Sequence, residues 1–240
     1  MSRYACRVRK EYRILRMVPG IGALPGKSML QGKIKSAMKQ GFFTSRLGRH
    51  EANSVVLTFD DGPHPVVTQQ VLDRLEEYGA RAIFFVVGHR ISDAPHLLKR
   101  ILEQGHIIGN HTYIHSNNSQ PGFVEYWRDV IQCQSLVEFY TGEKPKLFRP
   151  PGGRITLASL LVPRLLKLKT VMWSLDGQDW RFYSQNRAFE ISELLLRHLM
   201  VRDIILLHDD NPNTPLILDR ILPVISNKRL DLRSGIKCFA

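Results

Sequence analysis

Two adjacent carboxylates and two closely spaced histidines are the groups in this sequence best suited to chemistry. Asp60 and Asp61 follow the apolar run 55–59, and His111 and His115 are separated by three residues. One carboxylate and two imidazoles can bind a zinc-like ion and leave coordination positions open, which a closed four-ligand structural site would not. The second carboxylate can then accept a proton from water bound by that ion. The pattern therefore indicates a hydrolytic metal site with its own base.

Each half of this pattern also has a plain structural interpretation. The Asp-Gly-Pro sequence after Asp60 is common in turns, and taken alone it favours a turn and a ligand about equally. His111 and His115 would face one ion if their segment were helical. No Glu lies between them, so this is not the H-E-x-x-H pattern of a metalloprotease, and Asp60 is the expected base. The two halves together make the metal site the preferred interpretation.

Three further groups carry chemistry later in the chain. Arg149 begins an Arg-Pro-Pro-Gly-Gly turn, where its guanidinium could bind a carboxylate bidentately and the backbone N–H near Gly152 could face an oxyanion. Asp176 and Asp179 lie close together, and His208 ends an apolar run. A histidine oriented by a carboxylate can act as a general acid. Alone, each would be interpreted as a proline-rich loop or a structural histidine.

Short apolar runs that alternate with helical patterns predict the elements that position these groups. The predicted strands are 55–59, 82–87, 107–109, 146–148, 170–175 and 203–207, and the predicted helices are 67–78, 95–104, 124–140, 157–168 and 191–200. Uninterrupted apolar strands separated by helices indicate a parallel sheet that is buried on both faces. Five of the six strands end at one of the polar groups described above. Because parallel strands end at one face of a barrel, this convergence predicts an α/β enzyme.

The positive charge of the chain is concentrated at its start. The net charge is +12, and residues 1–50 hold 12 Lys or Arg and one acidic residue, so the remainder is nearly neutral. These residues show no sustained periodicity apart from one predicted short helix near 30–39. We therefore divide the chain into a basic N-terminal arm, 1–50, and a catalytic domain, 51–240.

Several classes of protein are disfavoured by what the sequence lacks. The three cysteines are far apart, which fits neither a disulfide framework nor a cysteine-based zinc site. No apolar run reaches the length of a membrane span, and the start of the chain lacks the apolar stretch of a secretory signal. We expect a cytoplasmic protein, with association to a membrane surface through the arm as an alternative.

Five ordered motifs of this chain resemble the polysaccharide deacetylase family, also called NodB-like or carbohydrate esterase family 4. The family pattern is T-F-D-D-G-P, H-[ST]-x-x-H, R-x-P-[YG]-G, D-x-x-D-W and L-x-H. The corresponding segments here are Thr58–Pro63, His111–His115, Arg149–Gly153, Asp176–Trp180 and Leu206–His208. The resemblance covers roughly residues 54–235 and leaves the arm outside.

The resemblance implies a fold and a role for each residue. The fold is a distorted (β/α) barrel of about seven parallel strands, the NodB homology domain. Asp60 is implied as the base, Asp61, His111 and His115 as the metal ligands, Arg149 as the residue that orients Asp60, and His208 as the acid. We expect Asp179, with Asp176 as the alternative, to be the partner of His208. Trp180 and Leu206 are implied as walls of the acetyl pocket, and the Gly152 N–H as an oxyanion donor.

The resemblance also implies an activity and its partners. The expected function is metal-dependent hydrolysis of N-acetyl groups on a glycan such as chitooligosaccharide or peptidoglycan, with Zn²⁺ as the expected cofactor and Co²⁺, Ni²⁺ or Mn²⁺ as alternatives. The family often has Tyr where Gly152 stands, which leaves the substrate class open.

Two other functions remain open from the sequence. One is an O-acetyl esterase, and the other is a catalytically weak glycan-binding protein docked through the arm. The arm could bind an anionic membrane surface, and it lacks any motif for sequence-specific nucleic acid binding. The sequence does not determine the oligomeric state.

Overall fold

The computed structural model describes residues 43–116, 121–182 and 187–239. Residues from Phe43 onward form one compact unit. The sequence analysis began the domain at residue 51, whereas Phe43 and Thr44 already form a strand of its sheet and Leu47 lies in its core. The predicted helix near 30–39 lies outside the described residues. No helix in the described ranges is long and apolar enough to cross a bilayer.

Strands and helices alternate along the chain as the sequence predicts. The strands are β1 (Phe43–Thr44), β2 (Val56–Asp60), β3 (Ala82–Val86), β4 (Ile107–Asn110), β5 (Leu147–Phe148), β6 (Lys169–Val171), β7 (Leu175–Asp176) and β8 (Ile204–His208). The helices are α1 (Val67–Glu77), α2 (Pro95–Glu103), α3 (Phe123–Thr141), α4 (Leu157–Leu165), α5 (Ala188–His198) and α6 (Thr214–Asn227).

The strands form one parallel sheet that curls into a distorted barrel. The strand order is β1-β6-β5-β4-β3-β2-β8-β7, and every pairing of these strands is parallel. β6 and β7 lie near opposite ends of this order although only residues 172–174 separate them. A segment of that length spans at most about 14 Å, so the two ends of the sheet must approach each other.

This closure explains the one strand that the sequence analysis placed incorrectly. A single strand was predicted over 170–175, and the structure instead has β6 and β7 with residues 172–174 crossing between them. Helix α6 was not predicted at all. It contains Pro215 and Pro223, and proline disrupts the helical pattern in sequence even though the first turn of a helix tolerates it.

Alternate residues of the strands fill two separate layers of core. In β2 and β8, Leu57, Phe59, Ile205 and Leu207 pack between the sheet and the helices. Their neighbours Val56 and Ile204 face the interior of the barrel with Ile83, Phe85 and Leu147. Successive strand residues point to opposite faces. Thr58, Asp60, Leu206 and His208 therefore share the interior side, and the upper part of the barrel is left to polar groups.

One glycine of the barrel interior makes room for an aromatic ring. A Cβ added to Gly109 in β4 would lie 2.4 Å from a ring carbon of Phe85, which has 0% exposure. Phe85 in turn lies under the Arg149 guanidinium, with 4.2 Å between the guanidinium carbon and the ring centroid. The packing of the barrel floor is therefore connected directly to a charged group above it.

We predict that Gly109→Ala lowers the free energy of unfolding by about 1–3 kcal/mol, because the added methyl group overpacks a filled core. Urea unfolding measures this change. Gly48→Ala is the matched control, since nothing lies within 4 Å of a Cβ at Gly48. Equal stability of the Gly109→Ala and Gly48→Ala proteins would show that Phe85 can move and that this contact is not a constraint.

Candidate active site

A buried ion pair lies at the mouth of the barrel, where the strands end. Asp60 ends β2 and is 4% exposed, and Arg149 follows β5 and is fully buried. Arg149 Nη1 donates to Asp60 Oδ1 at 2.7 Å. Only one carboxylate oxygen is used, so the bidentate contact considered from the sequence does not form. The other oxygen, Oδ2, lies 3.6 Å from His111 Nε2 and faces the centre of the site.

Every nitrogen of the Arg149 guanidinium donates a hydrogen bond. Nε donates to the carbonyl of Val171, Nη2 to the carbonyl of Met172, and Nη1 also donates to Thr58 Oγ1 at 2.7 Å. Burial lowers the pKa of Arg149, and the Asp60 carboxylate opposes this change by favouring the charged form. A buried charge with its hydrogen bonds satisfied orients its partner rigidly. The geometry therefore fixes the direction of the Asp60 carboxylate.

Asp61, His111 and His115 converge on one point beside this pair. Asp61 Oδ1 lies 3.4 Å from His111 Nε2 and 3.0 Å from His115 Nε2. One ligand atom from each residue lies within 4.8 Å of the other two. Adjacent strand-end residues point apart, and Asp61 has φ 74°, so the two neighbouring carboxylates separate into different positions of the site.

The two histidines converge from a loop rather than from a helix. Residues 111–116 have no regular structure, and Thr112 and His115 have φ values of 66° and 55°. The Asn110 side-chain oxygen accepts from the Thr112 N–H, and Asp129 on α3 accepts from the backbone N–H groups of Tyr113 and Ile114. These hydrogen bonds hold the loop in a conformation that brings the two imidazole rings together, as residues i and i+4 of a helix would be.

The donor set fits a divalent cation. His111 Nδ1 donates to the carbonyl of Arg149 at 2.7 Å, so the neutral ring presents the lone pair of Nε2 to Asp61. Asp61 Oδ1 is buried, and no described residue forms an aligned hydrogen bond with it. Burial alone would raise the pKa of Asp61, but His111 and His115 in their protonated form outweigh burial and hold that pKa far below its usual range, so Asp61 is anionic. When the rings are neutral, each Nε2 can offer a lone pair beside that oxygen, and one carboxylate with two imidazoles is a donor set for a cation.

A histidine and a carboxylate face this group from the neighbouring strand. His208 ends β8 directly beside Asp60 of β2 in the sheet register. His208 Nδ1 donates to Asp179 Oδ1 at 2.8 Å, and Asp179 Oδ2 accepts from the backbone N–H of His208 at 2.8 Å. Asp176, the alternative partner from the sequence, instead accepts from the backbone N–H of Gln178. Burial lowers the pKa of His208, but Asp179 outweighs burial and raises it to about 10.

The three remaining residues named from the sequence lie around this centre. Gly152 is exposed in a short 3-10 turn and has φ 56° and ψ 20°, a conformation that favours glycine. Leu206 is 3% exposed on the interior side of β8, two residues before His208. Trp180 is 48% exposed, with the Arg181 guanidinium carbon 5.1 Å from its ring centroid. Leu206 is therefore a buried residue of the barrel interior, and Trp180 is a partly exposed neighbour of Asp179.

The structure adds Arg90, a residue that the sequence analysis did not single out. β3 is the one predicted strand that had no polar group assigned to its end. Arg90, in the turn after β3, donates from Nη1 to the carbonyl of Asp61 and to Asp210 Oδ2 at 2.6 Å. It thereby fixes the left-handed backbone of Asp61. No local spacing relates position 90 to position 61, so the sequence alone offered no signal for this contact.

The loop after His208 supports the other side of the site. Thr214 Oγ1 donates to the carbonyl of His208 at 2.7 Å and lies 3.1 Å from Asp179 Oδ2. The Asn211 side-chain amide donates to the carbonyl of Asp179 at 2.6 Å. These contacts bind the His208 and Asp179 segments into one unit. Asn211 and Thr214 were also missed, because their function depends on the position of the unpredicted helix α6.

Comparison with known proteins gives consistent results. The sequence model of the polysaccharide deacetylase family matches residues 48–171. A peptidoglycan-N-acetylglucosamine deacetylase of Bacillus cereus is 36% identical over 191 residues, which cover 78% of this chain and 88% of that protein. A chitooligosaccharide deacetylase of Sinorhizobium fredii is 34% identical and covers 76% of this chain and 90% of that protein.

A solved structure of similar fold adds to this comparison. The crystal structure of a peptidoglycan N-acetylglucosamine deacetylase superposes with a TM-score of 0.74 at 30% identity. The match covers 81% of this chain and 91% of that one. The fold similarity therefore extends over most of both chains.

We predict that His111→Ala weakens affinity for a divalent cation by more than about 100-fold, because loss of even an outer partner of a metal ligand costs 10–100-fold. Titration calorimetry with Zn²⁺ or Co²⁺ and elemental analysis measure the change. His96→Ala, an exposed histidine on α2, is the control and should bind as the unaltered chain does. Stoichiometric metal in the His111→Ala protein would remove His111 from the ligand set.

Proposed function

The chain belongs to the polysaccharide deacetylase family, and on that premise we propose that it is a metal-dependent hydrolase that removes acetyl groups from N-acetylated sugars of a glycan. Relatives that act on peptidoglycan N-acetylglucosamine and on chitooligosaccharide support this substrate class. A fold alone does not determine activity. The proposal therefore depends on the site residues themselves.

One observation carries the proposal. Three charge-bearing pairs or groups meet at a single barrel mouth: the Asp60–Arg149 ion pair, the triad of Asp61 with two imidazoles, and the His208–Asp179 pair. Hydrolysis of an amide requires a base for water, a stabiliser of the developing oxyanion and an acid for the leaving nitrogen. The Asp60–Arg149 pair can supply the base, the His208–Asp179 pair can supply the acid, and a cation held by the triad would stabilise the oxyanion.

We assign Asp60 as the base. Its Oδ1 is occupied by Arg149, so Oδ2 is the oxygen left to accept a proton from the attacking water. The hydrogen bond from Arg149 prevents the carboxylate from rotating away. Because Asp60 is almost fully buried, its approach to water is limited to the side that faces the site.

We assign His208 as the acid and Asp179 as the residue that orients it. With Nδ1–H bonded to Asp179, Nε2 is directed away from Asp179 and is the atom that donates a proton to the departing nitrogen. The C–N bond then breaks, acetate retains the oxygen from water, and the sugar leaves as a free amine. We also assign the Gly152 N–H to the oxyanion, and Leu206 and Trp180 to the acetyl pocket and its rim.

The members of this family are metalloenzymes, and Asp61, His111 and His115 are the residues here that would hold the ion. We propose Zn²⁺, since two imidazoles and one carboxylate with open positions are a donor set typical of catalytic zinc. When bound, the cation would acidify a water molecule and polarise the acetyl carbonyl. The protein positions this chemistry between the Asp60 base and the His208 acid.

Acetate release from a panel of glycans tests the function directly. We expect release from chitooligosaccharide or peptidoglycan, loss of that release with a chelator, and recovery with Zn²⁺. Acetylxylan is the comparison that separates N-deacetylation from O-acetyl esterase activity. Chelator-resistant release, or release from acetylxylan alone, would contradict the proposal.

We predict that Asp60→Asn reduces turnover by about 10²–10⁴-fold, the contribution expected of a general base. The amide oxygen can still accept from Arg149, so the fold and the metal affinity should remain. The measurements are kcat with a chitooligosaccharide and metal content of the same preparation. Near-normal turnover with bound metal would show that another group is the base.

We predict that Asp179→Asn moves the alkaline limb of the kcat–pH profile to lower pH by about 1–3 units, the effect expected from removing a close opposite charge. The carboxylate raises the pKa of His208, and an acid is active only while protonated, so activity is lost as pH rises through that pKa. A lowered pKa therefore ends activity at lower pH.

Asp176→Asn is the matched control for this measurement, because Asp176 bonds to Gln178 and not to His208. Its alkaline limb should stay close to that of the unaltered chain. An unchanged limb in Asp179→Asn, or an equal shift in both variants, would contradict the assignment of Asp179 to His208.

A further inference from the structure

We propose that the barrel end opposite the active site binds the surface of a bilayer that contains anionic lipid. We call this end the basal face and define it by the segments that precede strands β2–β6 and β8 (45–55, 78–81, 104–106, 142–146, 166–168 and 199–203), together with 228–239. Parallel strands all begin at one end of a barrel, so these segments lie together. The inference is independent of the proposed activity.

Charge is distributed unequally between the two ends. The basal face holds 11 Lys or Arg and four acidic residues, a net charge of +7. The described segments that follow the strands, 61–66, 87–94, 111–116, 121–122, 149–156, 177–182, 187 and 209–213, hold five basic and five acidic residues. The excess positive charge of the domain is therefore confined to the end away from the catalytic groups.

Most of these basal cations are accessible. The exposed ones are Arg49, Lys144, Lys146, Lys167, Lys228, Arg229, Arg233 and Lys237. Two of the four acidic residues are engaged within the face itself. Asp203 is buried, and its Oδ1 forms an ion pair with Arg46 Nη2 at 2.7 Å. Asp231 accepts from the backbone N–H groups of Arg233 and Ser234. The potential that a partner would meet is accordingly positive.

Large apolar side chains are exposed among these charges. The tight turn Met200–Asp203 presents Met200 at 55% and Val201 at 44% exposure. The Asp203 carboxylate accepts from the Met200 N–H at 2.8 Å and so supports the turn from below. Exposed apolar residues that lie next to each other can contribute to a contact surface when further apolar groups are exposed at the same end of the domain.

Further apolar groups are exposed at the same end of the barrel. Helices run opposite to the strands and end at the basal face, where Tyr78, Phe139, Tyr140 and Leu165 are between 36% and 73% exposed. Lys or Arg mixed with aromatic and aliphatic residues is the composition of surfaces that lie in the headgroup region of a bilayer. Nucleic acid or another soluble polyanion would use the charges but gain nothing from Met200 and Val201.

The chain also enters the domain at this end. Phe43, the first described residue, begins β1, which is parallel to β6. The 42 residues before it hold ten Lys or Arg and one acidic residue, so their sequence charge has the same sign. With the basal face on lipid, the catalytic mouth is directed away from the membrane, towards an extended glycan.

Vesicle binding of the full chain tests the proposal. Vesicles of phosphatidylcholine with phosphatidylglycerol should sediment the protein at low salt, and vesicles of phosphatidylcholine alone should not. The triple variant Lys146→Glu, Lys167→Glu, Lys228→Glu should lose affinity by at least about tenfold, given the contribution of each cation near an anionic surface. Thermal unfolding of each variant checks that the fold is retained.

The matched control is Lys99→Glu, Arg128→Glu, Arg220→Glu, which reverses three exposed charges on helices at the sides of the barrel. It should bind vesicles as the unaltered chain does. Equal loss in both triple variants would mean that only net charge matters, and no loss in the basal variant would assign binding to residues 1–42. Either result, or no binding by the unaltered chain, overturns the proposal.

A second variant distinguishes lipid from a soluble polyanion. Met200→Ser with Val201→Ser should weaken binding to the mixed vesicles, most clearly at high salt where charge attraction is screened. Its retention on heparin should be unchanged. Vesicle binding that is unaffected, or equal losses on vesicles and heparin, would overturn the assignment of a bilayer as the partner.

Discussion

The ion pair between Asp60 and Arg149 is the interaction on which the rest of the site depends. A guanidinium with no solvent exposure is costly unless each of its donors finds an acceptor. Here the acceptors come from two residues of β2, one of them Asp60, from the last residue of β6, and from the segment after β6 that closes the barrel. Arg149 therefore joins three parts of the barrel that are distant in sequence, and the same contact orients the catalytic carboxylate.

This arrangement also explains why His111 is placed so accurately. Its Nδ1 bonds to the backbone carbonyl of Arg149, so the residue that orients the base also fixes the ring of a metal ligand. Phe85 supports Arg149 from below, and Gly109 makes space for Phe85. A single packed column thus extends from the floor of the barrel to its reactive end. A change in the floor is expected to reach the base and the metal ligand together.

The sequence was informative wherever function was expressed as a local pattern. Uninterrupted apolar runs predicted six strand regions and the parallel sheet, and the polar residues at their ends predicted which side chains would meet. It was less informative where position depends on closure of the barrel. Three features show this: residues 170–175 divide into β6 and β7, Arg90 contacts Asp61, and Thr214 supports Asp179. Each depends on contacts between elements that no local sequence pattern relates. Helix α6 was missed for a different reason, since its two prolines hide a helix that tertiary packing stabilises.

The left-handed backbone of Asp61 determines how the two neighbouring carboxylates are used in the site. Two neighbouring carboxylates in a regular strand would be directed to opposite faces, and one of them would be lost to the helix layer. The turn at Asp61 keeps both at the mouth and separates them by function, with Asp60 on Arg149 and Asp61 on the imidazoles. Such a conformation costs free energy in a residue other than glycine. Arg90 stabilises it by donating to the Asp61 carbonyl, and Asp210 in turn positions Arg90. The geometry of the metal site therefore depends on Arg90 after β3, although β3 contributes no ligand. Every strand from β2 to β5 thus takes part in one reactive centre.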